Sequence, residues 1–166
     1  KGLERSVRKI MEAVKKRGDR AVKKYTGEFD KVKLRKLAVT DREIRDAEKE
    51  VDQQLKDAII QAGKNIRKFH EAQHQEITVV ETMPGVVCWR KSIAIDAVGL
   101  YIPGGTAPLF STILMLGIPA AIAGCREIIL CSTPDITGKL HPAILFGAKM
   151  VGVKKIFKPG VVQAIA

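Results

Sequence analysis

A tyrosine followed by a proline and two glycines closes an apolar run in the middle of the chain, at Tyr101, Pro103, Gly104 and Gly105. Proline lacks an amide donor and glycine admits positive φ, so these residues predict the end of a strand and a turn. A glycine turn lets the backbone approach a ligand, and the amides of a following helix favour phosphates. The same glycines also fit a tight strand-to-helix connection without a ligand, and the GxGxxG spacing of dinucleotide folds is absent.

A glutamine near the last residues of the sequence, Gln163, is expected to meet Tyr101 in space. If three strands run parallel, their carboxyl ends share one edge of the sheet, where ligands bind in such folds. We call the space between the loops at that edge the crevice; its loops are 101–105, 132–135 and 159–163. The ring and hydroxyl of tyrosine and the amide of glutamine suit the base or ribose of a nucleotide.

A second chemical pattern is the H-E-x-x-H match at His70-Glu71-Ala72-Gln73-His74. On a helix, histidines four residues apart share a face and can bind zinc, while the glutamate activates a water. The surrounding residues are polar, however, and only His141 remains as a third imidazole. We therefore expect His70 and His74 to be solvated side chains near a helix end, and we predict no metal ligands in this chain.

Three cysteines, Cys88, Cys125 and Cys131, form no CxxC pair and no even set. That usage is typical of buried thiols in a reducing compartment. The sequence carries no secretory pattern, and its longest apolar run, residues 111–124, is interrupted by Gly117 and Pro119. We expect a cytoplasmic protein without a membrane partner.

Apolar residues at three- and four-residue intervals predict helices before residue 77. The first helix should end at Arg17 and Gly18, with Asp19 capping a short helix that Thr26 and Gly27 break. Thr40 followed by Glu43 is the pattern of a capping box at the start of the next helix. Further helical periodicity continues to Phe69.

Strand-like runs follow these helices. A turn at Met83-Pro84-Gly85 between two β-branched runs predicts a hairpin. Strands ending at Ile102, Cys131 and Lys158 then alternate with helical stretches. The stretch after the first of these strands is expected to form two helices, with Pro119 in the first turn of the second, short one. We predict an α/β protein, in which an N-terminal helical region with short strands precedes an incomplete Rossmann-like βαβαβ parallel sheet.

The composition changes near residue 97. Residues 1–96 carry most of the charge and are interpreted as a helical region with a β-hairpin, and residues 97–166 as the first, truncated part of a nucleotide-binding domain. The net charge of +11 raises nucleic-acid binding as an alternative function. Against it, the basic residues alternate with acids, and aromatic residues are not interleaved with them as stacking platforms.

Several motifs resemble one known family. The runs VGLYIPGGTAPLFST, LCSTPD, HPAIL and QAIA, with RGDRAVKKYTGEFD nearer the beginning, are similar to those of the histidinol dehydrogenase family. The resemblance covers essentially the whole chain. It implies an NAD- and zinc-dependent enzyme that oxidises L-histidinol to L-histidine with two NAD+, in the last step of histidine biosynthesis, and that works as a homodimer. The family's nucleotide site matches Tyr101 and Gln163.

The same resemblance implies that the zinc ligands and the acid and base residues lie in a part of the family that this chain does not match. Hydride transfer from an alcohol and then from an aldehyde hydrate needs a base and an electrophile. We therefore expect the chain alone to be inactive, with no catalytic residues in it. A structural or dimerisation module without ligand affinity is the alternative.

Overall fold

A computed structural model describes residues 2–104 and 109–166, and only the backbone of Val161. Gly105, which the sequence places in the glycine turn, lies outside the described residues. The helices and strands are α1 (Gly2–Arg17), α2 (Asp19–Phe29), α3 (Asp41–Glu50), α4 (Gln53–Glu71), β1 (Val79–Met83), β2 (Val86–Trp89), β3 (Ala97–Ile102), α5 (Phe110–Ala123), β4 (Glu127–Ser132), α6 (Pro142–Met150), β5 (Lys155–Phe157) and α7 (Val161–Ile165).

The first two helices meet at Gly18, whose φ of 53° is one that glycine adopts without strain. Gly18 rather than Asp19 is the N-cap of α2, and Asp19 is its first helical residue. The expected break at Thr26 and Gly27 is wrong, because α2 continues to Phe29. Thr26 is fully buried within α2, so tertiary packing outweighs the weak helix propensity of that pair.

The capping box at the start of α3 is confirmed. The Thr40 hydroxyl accepts a hydrogen bond from the Glu43 amide at 3.3 Å, and the Glu43 carboxylate accepts one from the Thr40 amide at 2.8 Å. The next helix, α4, begins in the same manner, since the Asp52 carboxylate accepts from the Leu55 amide at 2.9 Å. Both caps satisfy amides that have no partner within their helix.

The predicted hairpin is also confirmed, with β1 and β2 antiparallel and Pro84-Gly85 at the turn. Met83 belongs to the strand rather than to the turn. Every residue of both strands is exposed, including Val79 and Trp89 at 60% and 62%. The hairpin therefore projects from the core.

The central sheet is parallel with strand order β3-β4-β5, as the βαβαβ pattern predicts. The helices α5 and α6 connect its strands and pack against each other. The main core also includes buried residues of α3 and α4, so it extends across residue 97. The domain boundary near that residue stays a prediction. The main-core side chains that are fully or almost fully buried are Ile59, Ile102, Ile113, Leu114, Ile118 and Leu130.

A single helix, α5, spans the stretch for which two helices were expected. Pro119 lies inside it rather than in the first turn of a second helix. Proline removes one hydrogen bond to the carbonyl four residues earlier. That carbonyl belongs to Met115, which is 51% exposed, so water can satisfy it. The helix ends at Gly124, with a φ of 89°.

The outer edge of β5 is partly covered by the segment that precedes α3. The Val39 amide donates to the Ile156 carbonyl at 2.9 Å, and the Lys158 amide donates to the Leu37 carbonyl at 2.8 Å. These bonds satisfy part of the backbone groups that an edge strand otherwise leaves unpaired. Among residues 2–104 and 109–166, no helix combines the length and apolar character needed to cross a bilayer.

Glu43 joins this edge to α3. Its carboxylate accepts from the buried Lys158 ammonium at 2.6 Å as well as from Thr40. Burial alone would raise the pKa of Glu43, but the hydrogen bonds from Lys158 and Thr40 and the positive charge of Lys158 outweigh it and lower the pKa below 4.5. The charged form is therefore the one that the fold stabilises.

Replacing Glu43 by glutamine is expected to lower the free energy of unfolding by about 2 kcal/mol near neutral pH, since charge-assisted hydrogen bonds are lost. Because the folded-state pKa is lowered, the difference from the wild type should be constant above pH 4.5 and shrink as the pH falls below it. Urea unfolding over a pH series measures this. Glu50→Gln, at the exposed end of α3, is the control, and equal pH dependence in both variants would contradict the assignment.

Candidate nucleotide site

The carboxyl ends of β3, β4 and β5 meet at one edge, as parallel register requires. Tyr101 pairs with Cys131, and Cys131 pairs with Phe157. The chain continues from these strands into Gly104, Thr133 and Gly160, whose atoms lie close together. The described residues of the three loops that the sequence predicts around the crevice therefore meet at this edge.

Tyr101 lies half-buried at the end of β3. Its hydroxyl is 3.2 Å from the Thr133 hydroxyl, and either group can donate. Side chains alternate along a strand, so Thr133, two residues after Cys131, projects on the same side of the sheet as Tyr101. The sequence predicts the loop that contains Thr133 but not this contact, which joins residues 32 positions apart.

Gln163 lies in α7, a helix of five residues that the sequence analysis missed. Val162 packs against the apolar cluster that α1 and α2 form, which includes Ile10 and Tyr25. This contact holds the short helix in place and leaves Gln163 only 4% exposed. Its side-chain nitrogen is 3.5 Å from a carboxylate oxygen of Asp30.

Two glycines bring the backbone close to Thr133. A Cβ atom on Gly104 would lie 2.7 Å from the Thr133 Cβ, and a Cβ atom on Gly160 would lie 2.7 Å from the Thr133 hydroxyl oxygen. The Cβ position of Gly160 is also 3.5 and 3.6 Å from the two carboxylate oxygens of Asp30. Glycine at both positions therefore lets the two loops pack closely against Thr133, which a larger side chain would displace.

Asp30 approaches Gly160 from outside the sheet. It caps the carboxyl end of α2, where its amide donates to the Thr26 carbonyl at 2.9 Å. Burial raises the pKa of its carboxyl group above the ordinary value of 3.8. No lysine, arginine or histidine of the described part of the chain forms an ion pair with it. Asp30 is not among the site residues predicted from the sequence, because an aspartate directly after an amphipathic helix has no pattern that indicates a binding role.

Tyr101 and Gln163 belong to two polar pairs, Tyr101 with Thr133 and Asp30 with Gln163. We call these four residues the polar series; Thr133 of one pair and Asp30 of the other both lie close to Gly160. It offers an aromatic ring, hydroxyls, an amide and a carboxylate. These groups suit the base and sugar of a nucleotide.

The Ser132 hydroxyl is buried as well, but side chains alternate along β4, so it projects from the face of the sheet opposite to Cys131 and Thr133. It has no hydrogen-bond partner among the residues that the structure describes. A buried polar atom of this kind usually has a partner in the complete, solvated molecule. Since the Ser132 hydroxyl faces away from Tyr101, the groups that suit a nucleotide at this edge are those of the polar series.

The H-E-x-x-H residues do not share one helix. The helix α4 ends at Glu71, and His74 lies beyond it, exposed. His70 is half-buried and its Nδ1 atom is 2.8 Å from the Gln73 side-chain oxygen. Within residues 2–104 and 109–166, no group of three histidine, cysteine, aspartate or glutamate side chains is placed to hold a metal ion.

The comparisons with known proteins point to one family. The family model of histidinol dehydrogenase matches residues 1–166. A histidinol dehydrogenase of Bacteroides fragilis is 61% identical over 161 residues, which are 97% of this chain and 38% of that protein. A histidinol dehydrogenase of Salmonella typhimurium is 47% identical over 164 residues, 99% of this chain and 37% of that protein.

A solved structure gives the same result for the fold. The crystal structure of histidinol dehydrogenase from Elizabethkingia anophelis superposes with a TM-score of 0.96 at 47% identity, covering 98% of this chain and 38% of that one. The chain therefore spans less than two fifths of the length of these relatives. The resemblance stated from the sequence motifs is confirmed, and the chain belongs to the histidinol dehydrogenase family.

Proposed function

We propose that this chain supplies the dinucleotide-binding part of an enzyme that oxidises L-histidinol to L-histidine with two NAD+. Family membership supports the reaction. The observation that carries the proposal is the polar series at the carboxyl edge of the parallel sheet, from Tyr101 through Thr133 and Asp30 to Gln163. Ligands of such sheets bind at this edge.

In this proposal Tyr101 and Gln163 bind the nucleotide. The Tyr101 ring offers a face for the base, and its hydroxyl is held by Thr133 at 3.2 Å. Gln163 is almost fully buried, so its amide orientation is restricted and its hydrogen bonds are specific. When bound, NAD+ accepts the hydride of the oxidation. The residues of this chain bind and orient it.

The family resemblance implies a zinc ion as well. The described side chains do not fit one, because they contain no group of three metal-binding residues. We therefore assign no step of the reaction to a metal within this chain. Zinc remains part of the proposal for the longer protein only.

The proposal further includes a cytoplasmic homodimer that binds neither nucleic acid nor membrane. The thiols of Cys88, Cys125 and Cys131 are free, which supports a reducing compartment, although the expectation of buried thiols is wrong: Cys88 is exposed and the other two are half-buried. Basic residues paired with acids along the same helices, such as Arg8 with Glu4, support solvated faces rather than a nucleic-acid surface.

The exposed apolar residues of the hairpin also favour the second candidate function, a structural module for dimerisation.

The test uses the full-length protein that contains this sequence. It should form NADH when L-histidinol is added, and Gln163→Ala should raise the dissociation constant for NAD+ about tenfold, because a buried amide loses its hydrogen bonds. Calorimetric titration measures the constant, and Gln54→Ala on the exposed face of α4 is the control. Unchanged NAD+ affinity in Gln163→Ala would contradict the proposed site.

The same NADH assay on residues 1–166 alone, expected to be negative, tests whether the chain lacks activity by itself.

A further inference from the structure

We propose that Thr133 is a positioning residue of this nucleotide site, which orients the Tyr101 hydroxyl for the dinucleotide through a hydrogen bond. The inference rests on the proposed function and deepens it, since it adds a residue that acts on NAD+ binding through Tyr101. It also gives a reason for the close packing of two glycine-containing loops around one threonine.

The orientation of the Tyr101 hydroxyl depends on Thr133. Among the residues that the structure describes, the Thr133 hydroxyl at 3.2 Å is its one hydrogen-bond partner. A tyrosine hydroxyl has one donor and can also accept, and its hydrogen rotates to suit the partner that it finds. The bond to Thr133 therefore decides whether the Tyr101 hydroxyl offers a ligand its donor or its acceptor, and in which direction.

The Thr133 side chain is itself held in place by backbone on two sides. A Cβ atom on Gly104 would lie 2.7 Å from the Thr133 Cβ and 3.2 Å from its Cγ2, and a Cβ atom on Gly160 would lie 2.7 Å from its Oγ1. The next residue is the buried Pro134, and a proline restricts the residue before it to extended backbone conformations. A side chain branched at Cβ is stiff about χ1 as well. The Thr133 hydroxyl is therefore a fixed point to which Tyr101 bonds.

A positioning role and a purely structural role predict different results. A hydrogen bond that only stabilises this end of the sheet would change the free energy of unfolding and leave NAD+ affinity unaffected. A residue that acts through Tyr101 changes NAD+ affinity only while the Tyr101 hydroxyl is present, so the two substitutions are not additive. Removing the Thr133 hydroxyl with and without the Tyr101 hydroxyl separates these roles.

The experiment measures the dissociation constant of NAD+ for the full-length protein by calorimetry. Thr133→Val keeps the branched shape without the hydroxyl and should raise the constant about fivefold, the effect of one hydrogen bond. Thr133→Ser retains the hydroxyl and should recover most of the lost affinity. In a Tyr101→Phe background, Thr133→Val should change the constant less than about twofold. Thr78→Val, at an exposed threonine before β1, is the control.

Two results would overturn the inference: an unchanged dissociation constant in Thr133→Val, or equal weakening by Thr133→Val with and without the Tyr101 hydroxyl. Thr133→Ala removes the hydroxyl with a smaller side chain and replaces Thr133→Val in the comparison if valine prevents folding. Failure of the proposed function is recognised separately, because wild type would then not bind NAD+ at all. Binding of NAD+ that does not depend on the Thr133 hydroxyl would leave the proposed function intact and reject only this role.

Discussion

Replacing Gly160 by valine is expected to weaken NAD+ binding about 100-fold, because the new side chain would displace Thr133, which contacts the proposed nucleotide-binding residue Tyr101. A Cβ atom there would lie 2.7 Å from the Thr133 hydroxyl oxygen, closer than such atoms approach without displacement. The φ and ψ of Gly160 are −91° and 169°, an extended conformation open to valine. The effect should therefore come from the displaced Thr133 side chain rather than from backbone strain.

Calorimetric titration of the full-length protein with NAD+ measures this effect. Gly99→Val is the matched control, since nothing lies within 4 Å of its Cβ position in β3. Thermal unfolding of both variants separates lost binding from lost structure. If Gly160→Val bound NAD+ as tightly as wild type while folding normally, the position of Thr133 would not matter for binding of the nucleotide.

Replacing Leu130 by alanine is expected to lower the free energy of unfolding by about 3 kcal/mol, the largest stability effect predicted here. Leu130 lies in β4, the central strand of the parallel sheet, and its side chain is fully buried. Truncation removes apolar contacts and leaves a cavity that neighbouring side chains cannot close completely.

Urea unfolding compares this variant with Leu3→Ala, the same substitution at a leucine that is 81% exposed. The control should change the free energy of unfolding by less than about 0.5 kcal/mol. Equal losses in the two variants would mean that the sheet is not the core of this protein.

Much of the fold follows from local sequence signals. The capping box of Thr40 and Glu43, the turn at Pro84-Gly85 and the three apolar strands are each specified by neighbouring residues. Local signals predict the wrong structure where contacts between distant residues decide it. Thr26 and Gly27 stay helical because Thr26 is buried, and the edge of β5 is covered by a segment more than 100 residues earlier in the chain.

The candidate site, like the fold, follows partly from local sequence signals and partly from distant contacts. Parallel topology alone predicts that Tyr101 and Gln163 face one edge, and their role in binding NAD+ stays a prediction. Thr133 and Asp30 could not be found from the sequence, because their contacts join residues 32 and 133 positions apart. The helix α7 was missed since five residues without a side-chain cap carry little helical signal, and it is held by packing of Val162.

The central claim is that a dinucleotide binds at the carboxyl edge of the sheet between Tyr101 and Gln163. The most direct test is a crystal structure of the full-length protein with NAD+ bound. The account predicts that the nucleotide contacts both of these side chains. NAD+ bound elsewhere, with Tyr101 and Gln163 free of contact, would contradict it.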